Sequence, residues 1–209
     1  VMRKMLLAGA ALMMATSVQA GEPGELSCID KSYSGLERAE IDELLPKVDF
    51  LNGNENDVPT GVLSAIVFES VKRCKENFQW SEAELEPALM HELGRLIELR
   101  FRRYGPFKAE QIAKIDATLA KGDRSALWKP FEDQFTTETS GSETTASDED
   151  GAILDAFIVE TGLGRNGAAS EQVVVYLIAK AMQRTGGDGS DPLDERVDYF
   201  FTATAWTGT

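Results

Sequence analysis

Five consecutive residues, His91-Glu92-Leu93-Gly94-Arg95, carry the types that metal-assisted hydrolysis uses. An imidazole ligates zinc, and a glutamate beside it takes a proton from the bound water. That chemistry needs a second imidazole one helical turn further on. Arg95 stands at that position and His91 is the one histidine of the chain, so no such site is expected. On a helix, His91 falls with Glu84, Glu98 and Arg102, opposite a stripe of leucines, which predicts a solvated surface histidine.

Three oxygen-rich strings invite a calcium reading, and each departs from the loop that calcium requires. Asn52-Gly53-Asn54-Glu55-Asn56-Asp57 has Asp57 where a glycine makes the sharp turn, and Leu63 where a bidentate glutamate closes the site. Asp148-Glu149-Asp150-Gly151 places Phe157 at the closing position, and Ser147 before it reads as the cap of a helix with an acidic first turn. The stretch Asp188 to Glu195 reads as a glycine-rich loop, with Asp191 as N-cap and Pro192 at the first helical position. No metal or other cofactor is therefore expected. The chain contains no Gly-x-Ser-x-Gly elbow, phosphate loop or dinucleotide fingerprint. With 35 acidic residues, some carboxylates must lie close together. A hydrolase-like enzyme built on such a pair is the alternative to a binding function.

Charge is unevenly spread. The chain carries a net charge of −14, yet between Arg95 and Lys129 nine basic residues stand against four acids. Such a segment either meets an anionic partner or is neutralised within the fold. Within it Arg100 follows Leu89, Leu93 and Leu96 at spacings that put its stem in the apolar stripe. A guanidinium there reaches water past the helix end, pairs with an internal acid, or holds an anionic ligand, and Arg100 is the candidate anion contact.

The elements that must position these residues are helical. Apolar residues recur at three- and four-residue spacing through most of the chain, which predicts an all-α fold of seven or eight helices around one core. Helices are expected over 35–48, shortened by Pro46, from Thr60 to Phe78, and from Ser81, which caps with Glu84, to the Gly105-Pro106 stop. Further helices are expected over 106–121, 123–135, 148–160, 171–184 and 191–206. The run Val173 to Ala179 is apolar all round and predicts a central element, with a strand as the competing assignment. Residues 136–147 hold no apolar side chain larger than alanine and read as a polar connector, a candidate sub-boundary inside one domain spanning 21–209.

Residues 1–20 have the layout of a cleavable export signal: Arg3 and Lys4, an apolar run from Met5 to Val18, then Val18-Gln19-Ala20. That run is shorter than the roughly 20 residues a membrane-spanning helix needs. The expectation is a soluble periplasmic or secreted protein without a membrane anchor once the signal is cleaved. Two cysteines in an oxidising compartment predict one disulfide, Cys28 to Cys74. The acidic balance argues against nucleic acid as a partner. Taken together, the residues predict a binding or interaction module for a protein or small-molecule partner, with a structural or stress-protective role as the third reading.

Overall fold

The computed structural model describes residues 23–48, 58–137, 147–163 and 167–184. Among them the chain forms eight α-helices and no strand: α1 (Pro23–Ser32), α2 (Gly35–Leu44), α3 (Val58–Phe78), α4 (Leu85–Tyr104), α5 (Ala109–Leu119), α6 (Ser125–Thr137), α7 (Asp148–Thr161) and α8 (Gly167–Arg184). The run Val173–Ala179 is therefore helical, its length and its packing on α4 outweighing its β-branched content. The export signal at 1–20, the oxygen-rich strings at 52–57 and 188–195, connector residues 138–146 and the last helix expected over 191–206 lie outside the described residues.

The boundaries follow local chemistry. Ser34 and Glu37 form a reciprocal cap at the start of α2, with Ser34 N–H donating to Glu37 Oε2 at 2.7 Å. Pro46 lies in the turn just beyond its end. At the start of α7, Ser147 and Asp150 do the same. The Ser81–Glu84 cap is present, but one 3-10 turn, Glu82–Glu84, intervenes before α4 begins. Helix α3 ends where Gln79 takes a left-handed backbone (φ 55°), the conformation that commonly closes helices. Helix α1 has no counterpart among the sequence-based expectations. Pro23 suits its first turn, Leu26 and Ile29 bury its inner side, and Tyr33 is buried just beyond its end.

One core joins these helices. Helix α4 lies at its centre, with α1 and α3 on one side and α8 packed along the other. Phe101 near the end of α4 meets Phe107 and Tyr176 at centroid distances of 5.7 and 5.5 Å. Helix α7 closes the far end over α5 and α6. Cys28 and Cys74 are joined, with Cα atoms 5.9 Å apart, which fastens α1 to the core side of α3.

Gly94 is what lets α8 come close. A Cβ built there would lie 2.6 Å from the Ala179 carbonyl oxygen and 2.8 Å from Met182 Cβ, whereas one at Gly61 on α3 meets nothing within 4 Å. Gly→Ala should thus have opposite signs at the two positions. At Gly61 it should stabilise by about 0.5–1 kcal/mol through helix propensity. At Gly94 overpacking of about 1–3 kcal/mol outweighs that gain. Urea unfolding of the two variants at low protein concentration checks this, and a stabilised Gly94→Ala would mean that α8 does not press on α4.

Candidate functional site

Two polar networks flank α4. The first lies under α1. Glu92 is 1% exposed, and its carboxylate is gripped by Arg95, whose Nε donates to Oε2 at 2.8 Å and whose Nη2 donates to Oε1 at 2.7 Å. The buried Tyr33 hydroxyl donates to the same Oε1 at 2.7 Å, and Arg95 also reaches Asp30 Oδ1 at 3.1 Å. Burial, then the adjacent Glu92 charge, pushes the Tyr33 phenol well above its ordinary value. Burial acts to lower Arg95, but the hydrogen bonds and charge of Glu92 outweigh it and hold the guanidinium protonated. The arrangement neutralises a buried carboxylate and satisfies its acceptors.

The second network joins α4, α5 and α8. The Tyr176 hydroxyl donates to Asp116 Oδ1 at 2.6 Å and accepts from Arg102 Nη2 at 2.7 Å. Arg102 also donates to Glu98 Oε1 and Asp116 Oδ2, each at 2.8 Å. Lys180 Nζ lies 2.7 Å from Glu98 Oε1, and Gln183 Nε2 donates to Glu98 Oε2 at 2.8 Å. Glu98 and Asp116 are therefore paired carboxylates of the kind the sequence left open. The setting of Glu98 does not suit a general acid. Burial raises Glu98, but the hydrogen bonds from Lys180, Gln183 and Arg102 more than reverse it and hold the carboxyl below its usual range. General acid catalysis by a carboxyl needs the opposite shift, towards neutral pH. Burial and the bond to Asp116 raise the Tyr176 phenol, so it too keeps its proton. As it stands, the network is a set of charge-assisted cross-links between three helices.

The sequence-predicted residues distribute as follows. His91 does not point to solvent: it is half-buried, with Nδ1 3.1 Å from the main-chain oxygen of Gln183. A carbonyl can only accept, so Nδ1 carries the proton. The expectation failed because a helical wheel with one leucine stripe implies one packed face, whereas α4 is packed on two. Arg100 does have its stem inside the fold, and its Nε donates to the Leu45 carbonyl at 3.1 Å, just past the end of α2, where the dipole favours a cation. Arg103 meets Asp42 at 2.6 Å, and Arg124 meets Glu160 at 2.9 Å. Lys129 pairs with Asp133. Much of the basic segment is therefore neutralised by acids of the fold itself. Among the described residues, no group of three or more histidine, cysteine, aspartate or glutamate side chains is arranged to hold a metal. No helix among them is long and apolar enough to cross a membrane.

Tyr33 and Asp116 were not singled out from the sequence, and Glu92 was weighed there only as the base of a zinc site. The signals were there in part: Glu92 and Arg95 stand at ion-pair spacing on a helix, and Tyr176 sits in an apolar run where its hydroxyl must find a partner. The chain matches no protein-family model, and neither a curated protein nor a solved structure is significantly similar to it.

Proposed function

We propose that this chain is an exported, periplasmic interaction module whose acidic surface docks a basic protein partner. The observation that carries the reading is where the charges go. The guanidinium groups of Arg95, Arg102, Arg103 and Arg124 are directed onto carboxylates of the fold. The outer surface of α7, by contrast, presents the exposed acids Asp148, Glu149 and Asp155, and the helix has no basic residue. Attraction to a cationic partner follows, and with it a strong dependence of association rate on salt. Catalysis by the Glu98–Asp116 pair has less support, because the surrounding cations hold Glu98 ionised. An anion at Arg100 is the narrower reading of the same module, and the Leu45 carbonyl already takes one of its donors.

The test is affinity capture on the mature protein from extracts of its native compartment, followed by association kinetics with each purified partner. The expected result is a basic partner whose on-rate falls at least about tenfold between roughly 20 and 300 mM salt. Partners that are acidic, or whose on-rate ignores salt, would remove the electrostatic reading. Cell fractionation that leaves the chain in the cytoplasm would remove the compartment.

A further inference from the structure

Glu98 is where charge fastens α8 to α4. Its side chain is 13% exposed. From α8 it takes Lys180 at 2.7 Å and Gln183 at 2.8 Å, and from its own helix Arg102. The other groups that face it are the Tyr176 hydroxyl of α8, 3.3 Å from Oε1, and Asp116 of α5, reached through Tyr176 and Arg102. Arg102 and Lys180 thus stand against Glu98 and Asp116, and the set is neutral. A proton on Glu98 leaves the set positive, with Lys180 meeting no carboxylate among the described residues. Both cations also lie over the Tyr176 ring, Lys180 at 5.5 Å and Arg102 at 5.8 Å from its centroid, so two like charges are held close together.

We propose that Glu98 makes the seat of α8 an acid-sensitive joint: protonating it loosens α8 from α4 while α1, α3 and α4 stay together. The two sides of α4 differ in what holds them. On the side away from α8, Glu92 is also a buried carboxylate, but there α1 is joined to α3 by the Cys28–Cys74 bond, which no proton breaks. On the α8 side the fastening is apolar burial together with the Glu98 contacts. Val173, Leu177 and Ala179 are fully buried, so acid raises how often α8 opens and does not set it free. Burial acts to raise the Glu98 carboxyl, but the bonds from Lys180, Gln183 and Arg102 outweigh it and hold it below its usual range. The stabilisation is therefore present in full above the ordinary glutamate value, about 4.3, and is lost as pH falls through the lower value of the folded protein. His91 does not mimic this, because its Nδ1 donates to the Gln183 carbonyl in either charge state. In the open form the apolar side of α8 and the Gly94 face of α4 meet solvent, so the fold reads acid without a bound ligand. Neither the partner nor the compartment proposed above enters into it.

Hydrogen exchange of the disulfide-intact protein, read by mass spectrometry from about pH 6 to 3.5 and corrected for the intrinsic rate at each pH, tests this. Amides of α8 are expected to lose at least about tenfold in protection as the pH falls, while those of α3 keep theirs. Glu98→Gln removes the charge and keeps the size. It should show the loosened α8 already at about pH 6 and little further change on acidification. Lys180→Met leaves the carboxyl in place but takes away one of its partners, and should shrink the pH step in α8. Protection of α8 that is indifferent to pH, a step of the same size in Glu98→Gln, or loss of protection in α3 together with α8 would overturn the proposal.

Discussion

Arg95→Leu is expected to destabilise the fold by about 3–5 kcal/mol, because it strands a buried carboxylate. Glu92 is 1% exposed, and two of its hydrogen bonds come from the guanidinium of Arg95. After the substitution only the Tyr33 hydroxyl remains within reach among the contacts seen here. The carboxylate must then protonate, draw in water or push α1 away, and each response costs stability. Removing the whole constellation should cost far less than removing half of it. A triple variant, Arg95→Leu with Glu92→Met and Tyr33→Phe, replaces the buried polar groups with apolar ones of similar volume and should recover most of the loss. Urea unfolding monitored by circular dichroism gives both numbers. A single-variant loss below about 1 kcal/mol would show that Glu92 is solvated in solution.

Replacing both cysteines with alanine is expected to cost up to about 4 kcal/mol on the chain-entropy reckoning, because the bond closes a loop of 46 residues. The fold should survive the loss. Helix α1 keeps independent ties: Ser70 Oγ donates to the Ile29 carbonyl at 2.8 Å, Trp80 Nε1 donates to Glu25 at 3.4 Å, and Asp30 meets Arg95 at 3.1 Å. Leu26, Ile29 and Tyr33 also remain buried against α3 and α4. The double variant should therefore show unchanged far-ultraviolet dichroism and a lower denaturation midpoint. If α1 detaches instead, protease cleavage within residues 23–34 would appear in the variant and not in the parent.

The helices were legible where periodicity and caps agreed. Leu89, Leu93 and Leu96 with the Gly105-Pro106 stop marked α4 well, and the serine before the acidic run 148–150 marked α7. The disulfide was legible for a different reason: two cysteines in an oxidising compartment allow one intramolecular pairing. The second packed face of α4 was hidden. It is built from Gly94, His91 and Glu98, residues that a hydropathy pattern scores as solvent-facing. They are covered because a glycine admits α8 and because the imidazole and the carboxylate find partners on it, and both facts depend on residues some 85–92 positions away in sequence. Helix α1 was missed because it buries only Leu26 and Ile29 among its apolar residues other than Cys28, beside a stretch read as an export signal.

The packing of α8 on α4 also orders the folding reaction in time. His91 meets Gln183 across 92 residues of chain, and Arg102 meets Tyr176 across 74, while α3 and α4 are joined by a short turn. Closing a loop that long carries an entropic barrier that the local α3–α4 hairpin does not face. Whenever the chain emerges N-terminus first, α3 and α4 are both present before α8, and the other face of α4, Gly94 and the Glu98 carboxylate included, has no α8 partner until residues 167–184 follow. The last described helix is the keystone: a chain that ends before residue 167 lacks the partners that α8 brings to that face.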